Sequence, residues 1–456
     1  MSTARTPRST SRQNCTSQEQ LTRKLSTTVC SSLFAVITLL LATSAWGQGK
    51  ILYSFSGPPD GLAPSAGLVR DAAGNLYGAT AAGGNTTAEQ CVNGTDGCGV
   101  VFELTNSGGV WTESIIHTFV PGSGDGINPI GSLILDGAGN LYGATQYGGT
   151  ACTGYFCGVG TVYELSPAGG GLWTETILYN FQAAGDGVYP GAGLVMDSAG
   201  NLYGFTSFGG NNAICNGLGC GTIFELTSGS GGTWTEHILY TFQDGADGGE
   251  PEGASELVFD KGGNLYGTAA VGGDVTCNPP YGCGAIFELS PSGGTWTANG
   301  IHSFEINKGG VFPRTGLAID SLGNLYGTMP GGANGDGYVY KMSPQTGGGF
   351  KFTSVYSFDE THGGQPYGTP MVAGGIIYGT LFDGGGNNAS CTLGCGGVFR
   401  LTPGSGGAHY SFVGFGTAPK GANPSGSLML DPSGNLYGTT TAGGAHGEGT
   451  VFEITQ

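Results

Sequence analysis

Charge is scarce in this chain, with only 10% of its 456 residues being Asp, Glu, Lys or Arg, and basic charge scarcest of all, at 14 Lys and Arg against 32 Asp and Glu. A net charge of −18 repels phosphate backbones and removes nucleic acid from the partners to be considered. No apolar run reaches the roughly 20 residues a spanning helix needs. Signatures of catalysis are missing too: there is no G-x-S-x-G, H-E-x-x-H or G-x-x-x-x-G-K-[ST], and against 94 glycines any G-x-G-x-x-G match is noise.

The N-terminus carries Arg5, Arg8, Arg12, Arg23 and Lys24, then an apolar run from Leu33 to Ala42, then small residues around Ala45 and Gly47. This is the order of a secretory signal, so residues 1–47 are expected to be removed and 48–456 to form one domain; retention as an anchor is the alternative. Removal leaves nine basic against 31 acidic residues, a net charge of −22. The expected location is secreted, periplasmic or extracellular, without a membrane span in the mature chain.

Beyond Cys15 and Cys30 in the leader, ten cysteines form five close pairs: Cys91/Cys98, Cys152/Cys157, Cys215/Cys220, Cys277/Cys283 and Cys391/Cys395. Even, local pairing in an exported chain predicts disulfides. Zinc competes, but each loop lacks the further Cys or His ligands that a four-coordinate site needs.

Gly-Asn-Leu-Tyr-Gly recurs at Gly74, Gly139, Gly200, Gly263, Gly323 and Gly434, with a degenerate Gly-Ile-Ile-Tyr-Gly ending at Gly379. Seven units of about 60 residues follow. Each has four short runs rich in β-branched and aromatic residues, such as Ser132–Leu135, Asn140–Thr145, Thr161–Leu165 and Trp173–Phe181, bounded by Gly, Pro, Asn or Asp. The first run of the mature chain, Ile51–Phe55, matches a fourth strand, and the last, Val451–Thr455, matches a third. A solenoid has no use for that offset, whereas a ring needs its first strand to complete its last blade. The expectation is an all-β, seven-bladed β-propeller, four strands per blade, closed by the N-terminal strand.

The full motif P-x-x-G-L-x-x-D-x-x-G-N-L-Y-G-x-T-x-x-G-G, followed by G-T-V-F-E-L and a W-T-E strand, resembles the bacterial GloVer tandem repeat of "choice-of-anchor" proteins. The resemblance covers essentially the whole mature chain and implies an exported repeat protein without an established activity. The chain departs from the anchored pattern by ending at Gln456 without a sorting tail.

Two acidic motifs repeat. Asp-x-x-Gly-Asn, at Asp71, Asp136, Asp197, Asp260, Asp320 and Asp431, reads as a turn in which the carboxylate accepts backbone N–H bonds, because the sixth unit loses the Asp and changes turn type together. The tyrosines of Leu-Tyr-Gly and the fourth-strand Trp111, Trp173, Trp234 and Trp296 read as packing between blades. Asp-Gly-x-x-Pro links each fourth strand to the next first strand at Asp60, Asp125, Asp186 and Asp247, with Gly309, His362 and Lys420 in the later units. These links and the cysteine loops emerge on one face, which makes Asp60, Asp125, Asp186, Asp247, Glu250, His362 and Lys420 candidate binding residues at the channel mouth; turn chemistry is the alternative. The fourth link carries Asp244, Asp247, Glu250, Glu252 and Glu256, oxygen ligands that would suit Ca²⁺ but lack EF-hand spacing. His117, His237 and His302 fall in repeated strands and read as scaffold; His362 alone is placed as a general base would be.

The functional expectation is a monomeric, non-catalytic exported binding or scaffold protein recognising an extracellular glycan or envelope protein through the cysteine-loop face. The alternatives are a propeller-fold hydrolase or lyase acting on carbohydrate or lactone, including a metal-dependent one, and a matrix protein with no small-ligand pocket.

Overall fold

In the computed structural model the described residues are 47–456, apart from 87–90, 92–95, 123, 151–157, 183–184, 212, 252–255, 306–309, 332–334, 360–362, 386–390 and 418–419. The leader, Cys152, Cys157 and His362 therefore lie outside them. Seven small antiparallel sheets make a seven-bladed β-propeller. Blade 1 is Val69–Arg70, Leu76–Thr80, Val100–Ser107 and Val110–Thr118, and the same four strand positions recur through blade 6, which ends on His409–Gly414. Blade 7 takes Met429–Leu430, Leu436–Thr440 and Thr450–Thr455 from the end of the chain and Gln48–Ser54 from its beginning, in antiparallel register from Gln48↔Thr455 to Ser54↔Thr450. Cys215–Gly217 is a short helical turn, and among the described residues no helix is long and apolar enough to cross a membrane.

Second strands are buried on both faces, as in Leu76–Thr80, because neighbouring blades cover both sides of each sheet. Fourth strands alternate exposed and half-buried residues, the pattern of a sheet edge with one wet face. Each fourth strand runs into a buried Phe that meets an aromatic of the next blade's third strand, edge to face in six pairs and tilted in Phe358–Phe399. Around the ring the pairs are Phe55–Phe102, Phe119–Tyr163, Phe181–Phe224, Phe242–Phe287, Phe304–Tyr340, Phe358–Phe399 and Phe415–Phe452, with centroids 5.0–5.5 Å apart. Such pairs contribute about 0.5–1.5 kcal/mol each beyond their buried area.

The Asp-x-x-Gly-Asn turns behave as their sequence predicts. Asp71 Oδ1 accepts the Asn75 N–H at 2.8 Å and Oδ2 the Asn75 amide at 2.9 Å. Tyr77 donates to Glu103 on the third strand of its own blade at 2.8 Å, and its ring packs against Trp173 of blade 2. The tyrosine thus ties its own blade together through its hydroxyl as well as packing on the next.

Candidate functional site: the axial cavity and its rim

The Asp-Gly-x-x-Pro acids anchor the links rather than line the channel. Asp60 accepts the Tyr53 hydroxyl and the Ser56 N–H at 2.9 Å on Oδ2, and the Gly61 N–H at 2.6 Å on Oδ1. Asp186 repeats this with Tyr179, Gln182 and Gly187, and Asp247 takes the Tyr240 hydroxyl at 2.6 Å. Asp60 and Asp186 are buried, and their oxygens are already spent on the end of the preceding strand; Asp125 is buried too but has a histidine in place of the tyrosine. Lys420 is exposed, and Gly309 and His362 lie outside the described residues.

Asp60 and Asp186 each have a second acid nearby, Glu113 and Glu236 of the W-T-E strands, and these carry a testable consequence. Burial first, and the neighbouring Asp second, push both glutamates up to about 7. The folded chain then holds protons between the ordinary glutamate value and pH 7 that the unfolded chain has released, so this contribution to stability is complete at acid pH and is lost as pH rises through 7. Melting temperature should therefore fall between pH 5 and pH 8, and Glu113→Gln with Glu236→Gln should flatten that slope. A slope unchanged in the double variant, followed by calorimetry, would refute the assignment.

Beyond each link the chain reaches a residue in the left-handed region immediately before proline: Ala63, Asn128, Tyr189, Glu250, Phe312, Gln365 and Asn423, with φ from 45° to 59°. This conformation costs about 1–3 kcal/mol per residue and persists only where its surroundings impose it. Here the imposing contact is a hydrogen bond to the preceding blade. Asn128, Glu250, Phe312 and Asn423 donate their N–H to the carbonyls of Cys98, Cys220, Cys283 and Cys395 at 2.8–3.0 Å. Each acceptor is the second cysteine of a disulfide, since Cys91–Cys98, Cys215–Cys220, Cys277–Cys283 and Cys391–Cys395 are all bonded. The disulfides thus stiffen the loops on which these rim residues rest.

The rim surrounds a cavity of about 550 Å³ on the axis, to which all seven blades contribute. Gly67, Ser132, Glu256 and Ser427 line its inner wall, and Gly193, Gly316 and Thr369 hold the same place in the other units, one residue before the Leu, or before Pro370 in the sixth. These residues approach closely around the axis, Gly67 facing Ser132 and Ser427, and Gly316 facing Glu256 and Thr369. Threonines of the second strands latch them, Thr268 donating to the Thr315 carbonyl, Thr380 to Gly426 and Thr439 to Ala66.

Glu256 breaks this ring of small residues. Two additional residues between Pro251 and Asp260 bring it to the wall, where the Ser132 hydroxyl of blade 2 donates to Oε1 at 2.6 Å. Burial raises its pKa, and the bonds from Ser132 offset part of that rise. Arg314 is exposed in the wall of the adjacent blade, and Gln146, Ser207, Tyr367 and Phe382 complete the upper wall. The Ser425 hydroxyl, buried in the same wall, has no hydrogen-bond partner.

Rim and wall are joined. Asn128 donates to Gln146 at 2.8 Å, Tyr367 to Gln365 at 3.1 Å, and Asn423 to the Phe382 carbonyl at 3.1 Å. Tyr189 stacks edge to face between Tyr147 and Phe208, and Tyr367 against Phe382. The arrangement offers partly exposed aromatic rings above a polar floor with one carboxyl and one guanidinium.

Of the fourth-link acids grouped in sequence, Glu252 lies outside the described residues. The rest separate: Asp244 and Asp247 stay at the link, Glu250 stands on the rim and Glu256 faces the axis. Among the described residues they form no three-ligand cluster. His302 is scaffold, stacked on Phe352 at 4.5 Å, and burial lowers its pKa. His117, read from sequence as scaffold, instead lies between Asp125 and Glu175 at 3.4 Å from each.

Solved structures that resemble the chain include the following three. A virginiamycin B lyase from Staphylococcus aureus is 12% identical, with a TM-score of 0.49 over 90% of this chain and 99% of that one. A gluconolactonase from Xanthomonas campestris is 13% identical, with a TM-score of 0.38 over 72% of this chain and 84% of that one. A protein from Lactobacillus plantarum is 14% identical, with a TM-score of 0.42 over 76% and 83%. Likeness at this level carries no inference about activity. No curated protein matches. The repeat itself is diagnostic: the model of the Gloeobacter/Verrucomicrobia repeat matches residues 38–190 and 150–393, so the chain belongs to the Gloeobacter/Verrucomicrobia repeat family.

Proposed function

We propose that the chain is an exported, non-catalytic binding protein that takes the end of a glycan into the axial cavity, on the face bearing the disulfide loops. The observation that carries this is the composition of the cavity: aromatic rings at the rim, amide and hydroxyl groups below them, and one Arg and one Glu in the wall. Sugars present apolar C–H faces that stack on aromatic rings and hydroxyls that need both donors and acceptors, and this lining supplies all three. Glycoside hydrolysis ordinarily uses two carboxyl groups roughly 5–10 Å apart. Among the described residues lining the cavity Glu256 is the one acid, which favours binding over hydrolysis.

A thermal-shift screen of the chain against neutral and uronic-acid oligosaccharides tests this reading. Tyr367→Ala should abolish the response to both classes. Arg314→Ala should weaken the acidic class by about 10- to 100-fold, the size of a lost hydrogen bond to a charged group, and leave the neutral class largely unchanged. A flat response from folded protein across the panel, or a response insensitive to both substitutions, would remove the axial cavity as the glycan site.

A further inference from the structure

Three of the four Asp-Gly-x-x-Pro junctions share one design, and one departs from it. At Asp60, Asp186 and Asp247 the link acid receives a tyrosine hydroxyl from the end of a fourth strand, at 2.6–2.9 Å. Between blades 1 and 2 the tyrosine position is His117, and the acid of the next W-T-E strand is Glu175. His117 Nε2 lies 3.4 Å from Asp125 Oδ2 and 3.4 Å from Glu175 Oε1, longer than the about 2.7–2.9 Å of a charge-assisted hydrogen bond. Nε2 of His117 and Oε1 of Glu175 are shielded from solvent and meet the cluster at ion-pair distance, without the geometry of a good hydrogen bond.

Those separations suit a shared ion. Zn²⁺ holds imidazole nitrogen and carboxylate oxygen at about 2.1 Å, and two ligand atoms on such a tetrahedron stand about 3.4 Å apart. The three ligand atoms lie within 4.8 Å of one another, the one such group of three among the described residues. Asp125 is already oriented from outside, its Oδ2 accepting the Val120 N–H at 2.8 Å and its Oδ1 the Gly126 N–H at 2.6 Å. A second feature marks the same junction. Tyr163 stands where five blades have Phe102, Phe224, Phe287, Phe399 and Phe452, and its buried hydroxyl has no hydrogen-bond partner. The charges of Glu175 and Asp125 both reach it.

We propose that His117 Nε2, Asp125 Oδ2 and Glu175 Oε1 form a three-ligand site for a divalent transition ion of the zinc class at the junction of blades 1 and 2, with a fourth position for water. The exchange of tyrosine for histidine is the chemical basis. A phenol in this setting donates a hydrogen bond to the aspartate, whereas a neutral imidazole gives a lone pair to a metal. An ion there ties the fourth strands of two blades and the link between them into one unit.

The test is titration of the chelator-stripped full chain with Zn²⁺ and with Co²⁺, read by bound-metal analysis and by the visible bands of low-symmetry Co²⁺. One equivalent is expected, with intense bands. His117→Tyr restores the residue of the sister junctions, so it should fold with an unchanged metal-free melting temperature and lose the bands. Its affinity should fall by more than the about 10- to 100-fold that an outer-shell change costs. Glu175→Gln reads the same site independently through the third ligand and should also weaken binding, while His237→Ala, on another blade, should bind as the parent does. Absence of saturable one-equivalent binding, or binding unaltered in both His117→Tyr and Glu175→Gln, overturns the site.

Discussion

Removal of residues 48–55 should cost the chain its cooperative fold. Blade 7 would be left with three strands and the edge of Thr450–Thr455 bare over its whole length, from the partner of Gln48 to that of Ser54. Phe102 would lose its edge-to-face partner, and Asp60 would lose the Tyr53 hydroxyl that fixes the first link. Because the strand comes from the opposite end of the chain, nothing nearby in sequence can replace it. Phe55→Ala alone should destabilise by about 3–5 kcal/mol, the usual cost of emptying a buried phenylalanine site. Phe415→Ala, at the other side of blade 7, should cost a similar amount, since it packs on Phe452 in the same way. Thermal unfolding followed by circular dichroism, with gel filtration for exposed-edge association, measures both. A deletion variant melting with the parent would show that blade 7 does not need its fourth strand.

The second large effect is expected at Gly131, where the axial ring is tightest. Its φ is +69°, and a Cβ built there falls on the backbone nitrogen of Gly193 in the next blade. Gly170 provides the control, with φ +64° and no heavy atom near its Cβ position. Alanine at either site bears about 1–2 kcal/mol for the left-handed backbone. Only at position 131 must two blades also separate, and this adds the about 1–3 kcal/mol or more of an overpacked core. Gly131→Ala should therefore melt well below Gly170→Ala and lose the ligand response of the axial cavity. Equal melting of the two would mean that the inner ring yields without cost.

Much of the architecture was legible because it repeats. Seven copies of one hydrophobic and turn pattern leave little freedom in strand order, and the offset between Ile51–Phe55 and Val451–Thr455 places the closure in the sequence itself. The Asp-x-x-Gly-Asn turn was equally legible, because Asp71 and Asn75 complete it within five residues. Four of the five cysteine pairs, those among the described residues, were legible for the same reason.

The candidate site was legible only in outline. That the links and the cysteine loops lie together was legible, but the Asp-Gly-x-x-Pro acids turned toward tyrosines of the preceding strands, a contact that sequence spacing does not reveal. Glu256 had a visible signal, an acid two residues out of register in the fourth unit, yet its partner Ser132 lies 124 residues away. His117, Asp125 and Glu175 come from two blades and the link between them, each at a position its repeat would call structural.

By itself the sequence determined the blade count, the strand order, the local turns and the pairing of nearby cysteines, because these depend on periodicity and on partners a few residues apart. Tertiary structure alone decided which side chains face the axis, which rim residues are held in the left-handed region, and which acids meet a histidine. Those outcomes depend on the rotation of one blade against the next, and that rotation is set by packing around a closed ring rather than within any one repeat.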